Sequence, residues 1–418
     1  MFNLKSKLSA LLAALLCASA ALAQDSGPLI EALLRKGILT DQEAEDLKAD
    51  LANDATAKLA STSLTPNLTK MAISGRFQAQ FVALDTDIKG TLADPTPVQH
   101  AFLRRIYIGF KPTFSNGWGA YLNYDFAGST FDAAYIEKIF SPALTIQAGF
   151  KKAPIGYEEY FISSGALKSI ERSALTRFFV EANNGRRLGA GSYRQGVWAL
   201  GKKGNWTYEV AVTNPEREES SAGAAGTGSA TNNNFAYWAN LNYTKAFAET
   251  QGLFKIGSSI GLLPDQGGKT LGAGNDLTVW SIYADLRYRN FSILGEYMGS
   301  DNEQGAAATV DSKSSGYYLQ GSYRYGAFEP VIRYTFVDSD GRGVQISDGI
   351  RSAPSGGTMN ELTEWFFGAN WYLVGNEAKH EVKLQAGYIF GESSDTVLGA
   401  SGPKAWTQGF RSQLQVNF

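Results

Sequence analysis

Cysteine is nearly absent. Cys17 is the only one in 418 residues, and it lies in a stretch that reads as a removable leader. A disulfide framework is thereby excluded, and so is thiol chemistry in the rest of the chain. Histidine is almost as scarce, with only His100 and His380. The first reads as part of an outer loop and the second as the neighbour of a turn at the opposite end, so they cannot share one site. No catalytic residue, metal site or cofactor is therefore expected. No GxxxxGK(S/T) loop is present to cradle a nucleotide phosphate. No later segment reaches the run of about 18 apolar residues that a membrane helix needs. Net charge is also missing: 38 Lys and Arg stand against 40 Asp and Glu. From Leu59 onward the two signs balance. Nucleic acid is then not an expected partner, and any ion preference must come from where charges sit.

Glycine and aromatic residues are abundant, with 45 Gly, 24 Phe, 20 Tyr and 8 Trp. Three segments precede the main body. Lys5 and Lys7, the apolar run Leu8 to Leu16 and the small-residue site Ala21-Leu22-Ala23 read as a signal peptide over 1–23. Residues 24–58 are helical in pattern, with Leu29, Ile30, Leu33 and Leu34 on one face and a capping box at Thr40-Asp41-Gln42-Glu43. The apolar stripe is narrow and the other face acidic, which fits a short periplasmic coiled coil. Residues 59–70 read as a linker.

From Met71 the period becomes two. Ile73, Gly75, Phe77, Ala79 and Phe81 alternate with Ser74, Arg76, Gln78 and Gln80. Trp118 to Phe126, Trp280 to Tyr288 and Phe328 to Phe336 repeat the pattern. Segments of about ten residues with one apolar and one polar face suit tilted strands crossing a bilayer. Sixteen are predicted: 71–83, 102–111, 117–127, 131–140, 143–150, 186–201, 205–213, 234–247, 252–263, 277–289, 290–300, 314–325, 327–338, 361–374, 379–392 and 406–418. From the fourth strand onward short turns alternate with long connections, the asymmetry of an outer-membrane barrel. The final strand puts Phe410, Ser412, Leu414, Val416 and Phe418 on one face, like the C-terminal signal of bacterial outer-membrane proteins. The expected architecture is all-β: a 16-stranded antiparallel transmembrane β-barrel over 71–418, with a short N-terminal periplasmic helical segment. Such a barrel lies in outer-membrane lipid and encloses water, which points to a pore and not an enzyme.

One stretch carries a more specific likeness. Its parts are Phe102-Leu103-Arg104-Arg105-Ile106-Tyr107-Ile108-Gly109-Phe110-Lys111, Asp132 to Glu137, Gly149-Phe150-Lys151-Lys152-Ala153-Pro154-Ile155-Gly156-Tyr157-Glu158-Glu159, Ser163-Ser164, Ile170 to Ser173, and Gly185-Arg186-Arg187-Leu188-Gly189. In this order they resemble the phosphate-selective porin family. The resemblance implies a homotrimer, an anion pathway lined by arginine and lysine, and a third loop folded inward to narrow the pore. In phosphate-selective members a lysine follows the Ser-Ser pair; here Gly165 follows, and the nearest lysine is Lys168.

The residues themselves allow a constriction at 151–185, the longest connection without alternation. It holds Lys151, Lys152, Lys168, Arg172 and Arg177, with Glu158, Glu159, Glu171 and Glu181 as opposing acids. The strand registers turn Arg76, Arg105, Lys111, Arg187, Arg287, Arg324, Arg333 and Arg411 inward against Asp125, Asp285, Glu296 and Glu329. The expected pathway is therefore Arg76, Arg105, Lys111, Lys151, Lys152, Lys168, Arg172, Arg177, Arg187 and Arg333, taking small anions such as phosphate by passive diffusion. The alternatives are that these cations pair internally and leave a general pore, or that scattered inward tyrosines such as Tyr107, Tyr121 and Tyr318 serve saccharides.

Overall fold

The computed structural model describes residues 67–90, 94–181, 187–214, 234–247, 252–269, 275–354, 357–375, 380–397 and 403–418. The predicted signal peptide, the helical segment and residues 59–66 of the linker lie outside the described residues. None of the described helices is long and apolar enough to cross a membrane. The crossing elements are strands.

In chain order these are β1 (Leu68–Lys89), β2 (Val98–Phe114), β3 (Trp118–Asp125), β4 (Thr130–Ser141), β5 (Leu144–Lys152) and β6 (Tyr193–Lys203). Then come β7 (Trp206–Thr213), β8 (Ala236–Phe247), β9 (Gly252–Leu263), β10 (Leu277–Tyr288), β11 (Phe291–Ala307), β12 (Val310–Ser312) and β13 (Ser315–Tyr323). The rest are β14 (Phe328–Asp338), β15 (Val344–Gln345), β16 (Thr358–Val374), β17 (Val382–Thr396) and β18 (Lys404–Asn417). Strands β12 and β15 only extend loop hairpins, which leaves sixteen wall strands in one antiparallel sheet. The sheet closes because β1 pairs with both β2 and β18. Its seam runs from Arg76 opposite Asn417 to Lys89 opposite Lys404. Gly75 and Phe418 exchange backbone hydrogen bonds below it at 2.8 and 3.1 Å. Closure satisfies every strand edge, which the hydrocarbon layer demands.

The alternation read from the sequence is the inside and outside of this wall. On β14, Glu329, Arg333 and Thr335 are buried while Phe328 and Ile332 are exposed. Exposed Trp118, Phe140, Trp206, Tyr288, Phe291, Tyr323, Phe328 and Trp371 ring the end with the short turns. An aromatic belt of this kind sits at the lipid headgroups.

Several boundaries differ from the sequence expectation, four of them near the lumen loop or the chain start. Lys151 and Lys152 complete β5, so the long connection runs over 153–192 rather than 151–185. Strand β6 starts at Tyr193 instead of 186, because the connection stays inside the barrel until Ser192. Strand β1 starts at Leu68, within the segment read as linker. His100 lies in β2 and not in a loop, still at the end opposite His380.

Candidate functional site

The described residues of the connection, 153–181 and 187–192, fold into the lumen, and their own sequence shows how. Gly156 adopts φ +77°, and the chain then forms α1 (Tyr157–Tyr160). Ser173 caps α2 (Ala174–Phe179) by accepting from Thr176 N at 3.2 Å. The Glu158 carboxylate joins the two helices, accepting from Ser173 N, Ser173 Oγ and Thr176 Oγ1 at 2.8, 2.7 and 2.6 Å. The apolar side of the loop, including Ile155, Leu175, Phe178 and Phe179, packs on Trp198, Trp238, Val279, Met298 and Val337 of the far wall. Helix α2 also meets α3 (Ile346–Gly349).

The polar side is tied to the near wall by one lysine and several amides, all donating to loop carbonyls. Lys383 Nζ and Gln385 Nε2 of β17 donate to Leu167 O at 2.8 and 3.0 Å. Gln415 of β18 donates to Gly165 O at 3.0 Å and Gln78 of β1 to Ser164 O at 3.2 Å. The amides also bond one another around the wall: Gln78 to Gln415 at 2.6 Å, Gln80 to Gln413 at 2.8 Å, Gln413 to Gln385 at 2.8 Å, and Gln385 to Asn370 at 2.6 Å. This belt holds the loop backbone across the lumen without consuming charge.

Between the loop and β2–β4 a polar cavity of about 250 Å³ remains, lined by Arg104, Arg105, Lys152, Arg172, Arg187 and Arg351 against Asp125, Asp132, Glu159 and Glu181. Cations and acids intermingle here instead of forming two opposed walls. Glu171 accepts from Arg104 Nε at 2.6 Å and pairs with Arg351 at 3.2 Å. Burial would raise its pKa, but Arg104, Arg351 and Arg105 outweigh burial and hold the carboxyl well below its ordinary range.

The ten residues expected to line the pathway fall into two groups. Most are neutralised. Lys111 pairs with Glu137 at 3.5 Å, Lys151 with Glu209 at 3.1 Å and Lys168 with Glu329 at 2.5 Å. Lys152 and Arg172 both pair with Glu159. Arg177 is buried, bound to Glu181 at 3.1 Å and Asp348 O at 2.6 Å. Arg187 reaches Glu181 at 3.0 Å and Asp348 at 2.8 Å. Arg333 lies buried between Glu158 at 3.3 Å and Glu364 at 2.6 Å. Two are not neutralised. Arg76 donates to Asn417, Ser164 and Ser163 at 3.0, 2.7 and 2.8 Å. Arg105 donates to Gln78 Oε1 at 2.9 Å. Neither meets a carboxylate among the described residues. Arg411, also read as inward, joins them, held by Gln80 Oε1 at 3.0 Å and Arg351 O.

Gly165 belongs to this geometry. A Cβ there would stand 2.5 Å from Arg76 Nε. The bare backbone admits the guanidinium, and the cation beside Ser163 and Ser164 comes from β1. Arg104, Arg351 and Lys383 escaped the sequence reading. Strict alternation turns Arg104 outward once Arg105 is inward, yet both line the cavity. Arg351 sits in a loop with no period, and only the adjacent Arg pair of β2 was a visible signal.

A closed wall of amphipathic strands, apolar outside and polar within, with a charged loop strapped across the lumen, defines a porin. The chain belongs to the phosphate-selective porin O and P family, whose model matches residues 71–418. That makes it an outer-membrane channel and not an enzyme. The anion-selective porin of Comamonas acidovorans superposes with a TM-score of 0.59 at 12% identity, covering 84% of this chain and 99% of its own. The outer membrane channel DcaP of Acinetobacter baumannii gives 0.52 at 14% identity, covering 84% and 97%. Both likenesses are to the fold. No curated protein matches the chain.

Proposed function

We propose that this porin prefers anions, small oxyanions of the phosphate kind among them, and that the preference arises where the loop meets β1, β2 and β18. The observation that carries this is the company kept by Arg76, Arg105 and Arg411. The other eight cations expected along the pathway meet carboxylates, whereas these three end on amides, hydroxyls and a carbonyl. Arg76 is half-buried and Arg105 lines the polar cavity, so their charge is available to a passing ion, while the buried Arg411 adds its field from within. Arginine suits such a path, because its charge persists and its planar fork can hand an oxyanion on. Neutral anchors keep each site shallow, and an ion must leave as readily as it enters.

The test is the zero-current potential of the purified full chain in a planar bilayer under a KCl gradient. The expected sign is that of chloride preference. A potassium-preferring pore overturns the proposal, and a pore without preference returns the general or saccharide reading. We also propose a homotrimer in outer-membrane lipid, removal of residues 1–23 on export, and a periplasmic place for 24–58. Light scattering in mild detergent tests the first: a monomer at every concentration would end it.

A further inference from the structure

On the short-turn side of the loop lies a second cavity, of about 420 Å³, that the anion path above does not use. Its volume falls in the range of roughly 300–1,000 Å³ typical of small-molecule sites. Its lining differs in kind from that of the constriction. Tyr157 stacks on Tyr283 with ring centres 4.5 Å apart, and Phe161 joins them at 5.6 and 5.8 Å. The Tyr157 hydroxyl donates to Asp285 at 2.9 Å, which fixes the cluster to β10. Phe161, Ile162 and Leu294 present apolar surface to the cavity.

Lys255 stands over this surface, its Nζ 5.5 Å from the Tyr157 ring centre and 5.4 Å from that of Phe161. It makes no ion pair among the described residues. Both acids of the cavity are already engaged: Asp285 with Arg287 at 2.9 Å, and Glu158 with Ser173, Thr176 and Arg333. The cavity thus joins an ammonium without an ion pair, opposite Asp285 on the next strand, to aromatic and aliphatic surface. A hydrated inorganic anion has no use for the second feature. A flat organic anion uses both.

We propose that this vestibule binds aromatic monocarboxylates, with the ring against Phe161 and Leu294 and the carboxylate on Lys255. The site acts on anions that the pore admits, so it rests on the anion-preferring reading. The two fail separately, since the reversal potential in KCl tests that reading and a comparison of blockers tests this one.

The measurement is block of the chloride current through the full chain by benzoate, with acetate as the probe of equal charge and no ring. Benzoate is expected to block at about three- to tenfold lower concentration, the size of one favourable ring contact. Addition on the short-turn side should block more strongly. Lys255→Gln should weaken the benzoate block about threefold, and Phe161→Leu should bring benzoate and acetate together. Equal block of the unaltered protein by the two acids overturns the proposal, as does block that is the same from both sides. These wild-type comparisons decide the matter even if neither variant folds.

Discussion

Gly165 decides where a charge sits by having no side chain. It lies against the Arg76 guanidinium, and a methyl group would come within 2.5 Å of Nε. Arg76 is long and flexible, so Gly165→Ala should fold normally while displacing the guanidinium from Ser163 and Ser164. The expected outcome is a reversal potential moved toward the cation side with unchanged heat-modifiable migration; an unmoved potential would remove Arg76 from the path. Arg105→Gln should move it further in the same direction, because that guanidinium loses no ion pair and leaves no buried acid behind. Arg172→Gln is different in kind. Arg172 binds Glu159 and the carbonyls of Glu158 and Ile162, so its loss should free the loop before it alters selectivity. Such distinctions were not legible in the sequence. Period two shows that a residue faces inward, but which inward cations meet acids depends on a loop whose path no period describes.

The loop is the element that turns a wide barrel into a selective one. Its two helices are only four and six residues long, too short for a helical period to register, and tertiary bonds to Glu158 define them. Glu158→Gln would weaken the acceptor shared by Ser173 and Thr176 and leave Glu364 as the only carboxylate on Arg333. Loss of about 2–4 kcal/mol of docking follows from breaking a buried charged network. Limited proteolysis should then cut within 153–192 in the variant and spare the unaltered protein. Acid should act late on the same loop. Burial would raise the pKa of Glu181, but Arg177, Arg351 and Arg187 outweigh it and hold it at about 2. A carboxyl depressed from roughly 4.3 contributes stability that is complete above the unfolded value and is lost as pH falls through the folded one. Single-channel conductance should therefore stay level from neutral pH to about 4.3 and change only as pH approaches 2. A step near 4.3 would mean that Glu181 is not held by these arginines.

At the scale of the molecule, the sequence was most informative where one physical rule acts along the whole chain. Lipid outside and water inside impose alternation on every strand, and all sixteen predicted strands are present. Boundaries slipped where that rule stops, at β6, which the interior loop delays, and at β11 and β12, which carry pairing into a connection read as unstructured. Closure shows what the barrel needs for itself. Strand β18 pairs with β1 along its full length, and the amides of β1, β16, β17 and β18 lock the seam from within. The seam pairs run from Arg76 to Lys89 of β1 and from Lys404 to Asn417 of β18. A chain lacking residues 25–58 should therefore insert into outer membranes and retain heat-modifiable migration and the chloride preference of the full chain. If that chain fails to insert, the N-terminal segment is part of the barrel's assembly. If it inserts but scatters light as a monomer where the full chain is a trimer, the segment is what joins the barrels.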